Sequence, residues 1–432
     1  MDFRQSLEYL YGLNTFGIKL GLHNMRALQE RLPELQTDPP LIHVAGTNGK
    51  GSVSVLLAEI LRQSGLRVGL YTSPHLHCLT ERIRVDGQPI APQEVADLTT
   101  ELRSVSQGIP LTFFEMTTAM TLLAFRRRQV DWAVLETGLG GRLDATNIVR
   151  PRLSLITPIS FDHQRHLGTT LEQIAAEKAG IIKTGVPVVI GRQPAEARAV
   201  LSRVAEKMAA PVTLAGRDFS WIGSQQDLRV TVDDQTWTGL DLALPGEHQC
   251  DNFAQAIAAA CRLKEQGATV TTAAIRRAGR TVRWPGRLEW WGGRQVLLDA
   301  AHNGAGATCL AGYLRQQGLD RVPLLCALSG ERSVDDVFGP LRERIAELFV
   351  VPIPEMPHVP VAGIVRWGEA QRLRSHGFAT VEAGLAAALA NRSDRQPLVV
   401  CGSIYLLAIV RGLLQNNFPT PATGLVPVAQ AI

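Results

Sequence analysis

The chain has 432 residues, 45% hydrophobic and 19% charged, the make-up of a folded globular protein with room for two or three cores and not of a disordered or fibrous one. Lys and Arg (44) exceed Asp and Glu (40) by only four, too small a surplus for a dedicated nucleic-acid binder. The cysteines Cys78, Cys250, Cys261, Cys309, Cys326 and Cys401 form no C-x-x-C pair, and no leader-like segment or run of 18 apolar residues is visible; the expectation is a reduced cytoplasmic chain without disulfide framework, zinc site or membrane span.

From Leu41 onward, short β-branched runs alternate with helical patterns, as βα units around a mostly parallel sheet do. Strands are predicted at Leu41 to Ala45, Val68 to Tyr71, Trp132 to Leu135, Leu153 to Thr157 and Val186 to Ile190. Helices are predicted at Val53 to Leu61, at Leu171 to Ala179 with Gly180 as its C′ residue, and at Asn252 to Lys264 with Asp251 as N-cap. Arg126-Arg127-Arg128 follows an apolar stretch and reads as the cationic end of a helix ahead of a phosphate contact. Between Asp218 and Leu244 the alternation and the Asp233-Asp234 turn signal predict antiparallel hairpins.

Pro285-Gly286 breaks the pattern, after which the βα rhythm restarts with strands at Gln295 to Leu298, Pro323 to Leu328, Leu348 to Val351 and Leu398 to Cys401. The fold class is therefore α/β. A mostly parallel sheet domain with a phosphate loop and a small antiparallel region occupies residues 1–285, and a smaller Rossmann-like α/β domain occupies 286–432.

The strongest chemical signal is Gly46-Thr47-Asn48-Gly49-Lys50-Gly51-Ser52 between the first strand and its helix. Backbone N–H groups of such a loop turn onto phosphate oxygens, the helix dipole adds positive potential, and the lysine supplies a full charge. Ser73, Glu136 and Asp162-His163 each stand just past a strand, at the edge where ligands bind in open parallel sheets. A hydroxyl and a carboxylate suit Mg²⁺, with imidazole a less usual donor. Lys178 near a helix C-terminus reads, on the residues alone, as a favourable surface charge. Asp299 and His302 follow the first strand of the second domain, and Arg287 lies in the linker.

These residues resemble the folylpolyglutamate synthases and dihydrofolate synthases, the folate branch of the Mur ligase superfamily. The match runs through the Gly46–Ser52 loop, Tyr71-Thr72-Ser73-Pro74-His75-Leu76, Glu136 with Gly138 to Asn147, Asp162-His163, Glu177-Lys178-Ala179-Gly180-Ile181, Pro285-Gly286-Arg287, Asp299 with His302-Asn303, and Cys401-Gly402-Ser403. The resemblance implies ATP contacts at Thr47, Asn48, Gly49, Lys50, Gly51, Ser52, Asn252, Arg287 and Asp299, and Mg²⁺ ligands at Ser73, Glu136 and His163. It implies a carbamylated Lys178 holding a second metal ion, and catalytic roles for Lys50, Lys178 and His302. Carbamylation needs a neutral amine, hence a lysine of depressed pKa. Ile18, Lys19, Leu20, Thr112, Phe113, Phe114, Glu115, Leu143, Asp144 and Ala145 match stretches that hold dihydropteroate, although Phe113 and Phe114 read equally as core packing at a helix start.

The implied chemistry is ligation of L-glutamate to dihydropteroate, to reduced folates or to both, by a monomer, through an acyl phosphate that closure of the second domain would shield from water. The alternatives are a single one of the two activities, a muramyl-peptide ligase, and an ATP-binding protein without catalysis. The sequence departs from the family at Gly304, where proline is usual, and at Ser329-Gly330-Glu331-Arg332-Ser333, in place of an Asp-Lys-Asp-like stretch.

Overall fold

The computed structural model describes residues 1–13, 20–36, 39–293, 295–330, 332–391 and 396–417. They form two compact units, one of Met1–Ala243 with Gln249–Val282 and one of Leu244–His248 with the chain from Arg283 onward. Among the described residues no helix is long and apolar enough to cross a membrane.

The first unit is built on β1 (Leu41–Ala45), β2 (Val68–Tyr71), β3 (Ile83–Val85), β4 (Gln88–Pro89), β5 (Trp132–Glu136), β6 (Leu153–Ile156), β7 (Val188–Ile190) and β8 (Val212–Leu214). Their order is β4-β3-β2-β5-β1-β6-β7-β8. The run from β2 to β8 is parallel, and β3 and β4 extend it as an antiparallel edge. Every residue of β1, β2, β5 and β6 is buried, which is why these strands read as continuous apolar runs without alternation.

One face of this sheet is covered by a core that includes Met116, Met120, Leu123 and Phe125 of the helix Phe113–Arg127. A second core further along the same face joins Ile156, Val188 and Ile190 to Ile174 and Ala175 of the helix Leu171–Ala179 and to Leu201 of Ala195–Lys207. Each fully buried side chain of this size contributes about 1.5–3 kcal/mol relative to exposure. The cations after Phe125 are helix-end charges: Arg127 pairs with Glu101 and Glu34, and Arg128 with Glu94. The predicted hairpins are present as β9 (Phe219–Ser224), β10 (Asp227–Val232) and β11 (Gln235–Leu240). Asp233 takes φ 49° in the two-residue turn that joins the last pair.

The second unit carries β12 (Glu289–Trp291), β13 (Val296–Leu298), β14 (Val322–Cys326), β15 (Ile345–Val350), β16 (Arg374–Gly377) and β17 (Leu398–Cys401), in the order β12-β13-β17-β14-β15-β16. Only β12 is antiparallel to its neighbour. Its Glu289 is gripped by Arg411, whose guanidinium also lies 5.1 Å from the Trp291 ring centroid.

Two local expectations are corrected. The helix predicted from Asn252 runs Glu247–Glu265, starting right after Gly246, which takes φ 97°. Asp251 is therefore not its N-cap but an interior residue that accepts Trp221 Nε1–H at 2.7 Å. Gly180 does not take the left-handed C′ conformation, since its φ is −61°. It is small for another reason: a Cβ there would lie 2.4 Å from Arg142 Cα.

Candidate active site

The phosphate loop leaves β1 at its carboxyl end and enters the helix Lys50–Gln63 through Gly49, which takes φ 87°. Thr47 and Asn48 are pinned from the neighbouring β6 edge, both N–H groups donating to Pro158 O, and Thr47 Oγ1 donates to Ser160 O at 3.1 Å. Lys50 folds back over the loop, its Nζ donating to Gly46 O at 3.2 Å and Thr47 O at 3.3 Å. Asn252 closes the loop's outer side, for its Oδ1 sits 2.5 Å from where a Gly49 Cβ would be.

Gly46 is still more constrained. With φ 150°, its Cβ would lie 1.8 Å from Thr157 Oγ1, and its carbonyl accepts from both Lys50 and Lys178. Gly46→Ala is expected to weaken binding of a non-hydrolysable ATP analogue at least about tenfold while leaving the fold cooperative; calorimetric affinities equal to those of the parent would refute this reading of the loop.

The strand order β2-β5-β1-β6 decides which residues meet. It puts Ser73 after β2, Glu136 at the end of β5 and His163 beyond β6, around the loop after β1. Glu136 is 3% exposed and accepts the Ser73 N–H at 3.1 Å. His163 is more open; it takes φ 50°, and its N–H donates to the Asp162 carboxylate at 2.9 Å.

Lys178 is not a surface charge. It is 4% exposed and its Nζ donates to Gly46 O at 2.8 Å. Burial, then the nearby Lys50 cation, lower its pKa to about 7, against the opposing pull of Asp162 and Asp144. The local cause is tight backbone packing: Gly141 and Gly180 let the 138–142 loop lie directly on the helix end at Glu177–Gly180, where a Gly141 Cβ would lie 2.9 Å from the Glu177 and Lys178 carbonyls.

Among the described residues no three His, Cys, Asp or Glu side chains gather as a metal group. Any ion here would rest on mixed donors: the Ser73 hydroxyl, the Glu136 carboxylate and His163. Oxygen donors predominate in that set, which fits Mg²⁺.

The three stretches matched to dihydropteroate converge in part. Ile18 and Lys19 lie outside the described residues, but next to Leu20 the Gly21 N–H donates to Leu143 O at 3.1 Å, and Asn24 donates to Glu115 at 3.2 Å. Several of these residues do structural work. Thr112 and Glu115 form a reciprocal capping box that starts the helix Phe113–Arg127. Phe113 stacks on Tyr11, whereas Phe114 turns toward Tyr71 and covers Gly138. Asp144 is 3% exposed and accepts from Leu139 N and Thr146 N, so it holds the 138–146 loop in shape.

Asp144 also ends a buried chain that sequence reasoning missed. The Thr146 hydroxyl donates to Asp144 and accepts from His43 Nε2 at 2.8 Å, while His43 Nδ1 has no partner. Full burial, and secondarily Lys183, push the His43 pKa down to about 3. The unfolded chain takes up this proton below about pH 6.5 and the folded one does not, so stability is lost as pH falls from there toward 3, by up to about 1.4 kcal/mol per pH unit. His43→Gln is expected to flatten that slope in urea-midpoint measurements across pH 6.5 to 4; an unchanged slope would put the acid sensitivity elsewhere.

In the second unit Arg287, Asp299 and His302 lie near one another, the Arg287 and His302 charges both acting on Asp299. Asp299 accepts from Leu288 N and Ala301 N, and His302 Nδ1 donates to Ala300 O at 2.8 Å. The two departures from the family pattern adjoin: a Cβ on Gly304 would lie 2.9 Å from the carbonyl of Asp336, in the helix Val334–Phe338 that follows the 329–333 stretch. Glu331 lies outside the described residues.

The Mur ligase middle domain matches residues 44–260, the segment that carries the phosphate loop, Ser73, Glu136 and Lys178, and places the chain in the Mur ligase class of ATP-dependent ligases. The chain is 33% identical over 430 residues to folylpolyglutamate synthase of Lacticaseibacillus casei, covering 96% of this chain and 99% of that one. It is 34% identical to dihydrofolate synthase/folylpolyglutamate synthase of Escherichia coli K12, covering 94% and 93%. Mycobacterium tuberculosis folylpolyglutamate synthase complexed with ADP superposes with TM-score 0.88 at 30% identity, over 96% of this chain and 99% of that chain. E. coli FolC in complex with DHPP and ADP gives 0.87, over 96% and 98%. The chain belongs to the folylpolyglutamate synthase and dihydrofolate synthase family.

Proposed function

We propose that the chain uses ATP to ligate L-glutamate to dihydropteroate and to reduced folyl-glutamates through an acyl phosphate. The observation that carries this reading is the convergence on one loop: Lys50 and Lys178 both bond the Gly46 carbonyl, with Glu136 and Ser73 joined on the neighbouring strand ends. The relatives' names and their ADP and DHPP complexes support the substrates.

In this reading a carboxylate oxygen of the pterin substrate attacks the γ-phosphorus, and the bond to the ADP oxygen breaks. Lys50 and the first N–H groups of its helix hold the phosphates and offset their charge. Ser73, Glu136 and His163 would hold Mg²⁺ and carbamylated Lys178 a second ion, which when bound supply electrostatic stabilisation of the transferring phosphoryl group. The amine of glutamate then attacks the acyl carbon, phosphate leaves and an amide remains. In this reading His302, whose Nδ1 donates to Ala300 O, takes a proton from glutamate's ammonium. Asn252, Arg287 and Asp299 complete the ATP contacts in this assignment.

Phosphate release measured with dihydropteroate, tetrahydrofolate or a muramyl precursor, each with and without L-glutamate, tests the proposal. Glutamate-dependent turnover is expected with both pterins. Turnover with neither would overturn it, and turnover with one alone would reduce it to a single activity.

A further inference from the structure

We propose that Asn147 is a positioning residue: its carboxamide, turned by Lys183, clamps the end of the helix Leu171–Ala179 to the 138–147 loop and so seats Lys178 at the phosphate loop. What the seat does for carbamylation rests on the function proposed above; the clamp itself does not. Lys178 is the last residue but one of its helix, and its Nζ reaches Gly46 O only while that helix end lies against the loop. Gly141 and Gly180 permit the close approach, but a missing Cβ supplies no attraction. Bonds across the seam have to hold it.

Asn147 bonds to both sides of that seam. Its Nδ2 donates to Arg142 O at 2.9 Å, in the loop, and to Gly180 O at 3.2 Å, at the helix end, so a single amide group directs its protons to carbonyls of two segments. Lys183 decides which way the amide faces. An ammonium group only donates, and Lys183 Nζ stands 2.6 Å from Oδ1, so the carboxamide oxygen has to lie there and the nitrogen is left for the carbonyls. Lys183 also reaches Gly180 O itself, at 3.5 Å.

The neighbouring bonds act differently. The Arg142 N–H donates to Glu177 O at 2.7 Å, ahead of Lys178, and Ser154 Oγ on β6 donates to Ile181 O at 3.0 Å, tying the chain beyond the helix to the sheet. The Arg142–Glu177 ion pair lies toward solvent, with the arginine side chain 55% exposed, where such a pair contributes little. Asn147 is 8% exposed. Replacing it takes a donor from carbonyls that water reaches poorly, which is the costlier loss. Asn147→Asp keeps the shape and the Lys183 contact but turns an oxygen toward two carbonyl oxygens, so it opens the seam without changing volume.

Two readouts test this, both independent of turnover: the carbamate carbon signal of protein equilibrated with labelled bicarbonate, and reductive methylation of Lys178, mapped by mass spectrometry against the exposed Lys264. In the parent, Lys178 should methylate at least about tenfold more slowly than Lys264. Asn147→Asp and Lys183→Met should each lower the carbamate signal and raise Lys178 methylation at least about threefold, with Lys50 methylation staying within about twofold of the parent. Arg142→Ala should leave both readouts within about twofold; an effect there as large as that of Asn147→Asp would assign the seat to the ion pair and overturn the proposal. A parent that methylates Lys178 as fast as Lys264 would overturn it without any variant. So would unchanged readouts in both variants, or an equal rise at Lys50 and Lys178, which would make Asn147 a residue of general stability. Should Asn147→Asp not fold, Lys183→Met decides alone. If the parent gives no carbamate signal, carbamylation drops out of the proposed function, while the methylation pattern still decides the clamp.

Discussion

Alanine at position 178 is expected to lower glutamate-dependent phosphate release about 10³-fold, with a small carboxylate such as acetate or propionate restoring part of the rate. The geometry gives the reason. Lys178 Nζ is 2.8 Å from Gly46 O, within the phosphate loop, and 4% exposed. A protonated amine there adds a second cation beside Lys50 in a space that screens it poorly. Its pKa, lowered to about 7, makes the neutral amine a major form near neutral pH, where an ordinary lysine is neutral in only about one molecule in 10³. Carbon dioxide adds to a neutral amine alone, releasing a proton and leaving a carbamate, so burial supplies the condition for converting a badly placed cation into a metal-binding anion.

Two measurements go beyond activity. The carbamate carbon should give a ¹³C signal in protein equilibrated with labelled bicarbonate, and that signal should be absent from Lys178→Ala. Its intensity should rise as pH rises through 7, because the amine loses its proton there. An Ala variant of undiminished rate would reject the role outright, and a signal that fell with rising pH would contradict its stated cause. The stability of the unmodified protein follows the same sign. The unfolded lysine holds its proton up to about pH 10.4 and the folded one only to about 7, so unfolding becomes harder as pH rises through that window, by on the order of 4–5 kcal/mol in all.

Much of this site was legible in the sequence because parallel-sheet topology does the assembling. Ser73, Glu136 and His163 were each ambiguous alone. The chain order of their strands gives no hint that β5 lies between β2 and β1, yet each residue sits just past a strand's carboxyl end, and any parallel arrangement brings those ends to one edge. What was less legible depends on burial and on contacts between distant segments. Lys178 looks like a helix-end charge until the 138–142 loop is packed over it. Thr112 and Glu115 carry the T-x-x-E signature of a capping box, a local signal of their structural role that the family match overshadowed. His43 had no local signal at all, being defined by a hydroxyl 103 residues away.

The second large effect is expected at Lys50, where methionine keeps the length of the side chain and removes its charge. Lys50→Met should lower phosphate release about 10³-fold or more with either pterin, since the cation that offsets charge on the transferring group is gone. It should also act at a distance from that group. After burial, Lys50 is the larger of the influences that hold the Lys178 pKa down. Without it the protonated form of Lys178 is less penalised, its pKa rises, and less neutral amine is present at a given pH. A carbamate at 178 also loses a neighbouring cation, so both changes reduce carbamylation. The labelled-carbamate signal at pH 7.5 should therefore shrink in Lys50→Met although Lys178 itself is untouched, and recover on raising the pH. The double variant Lys50→Met, Lys178→Ala should then lose less than the product of the two single losses, because part of the Lys50 effect passes through Lys178. Strict multiplicativity with an unchanged carbamate signal would show that the two lysines, though bonded to one carbonyl oxygen, act independently.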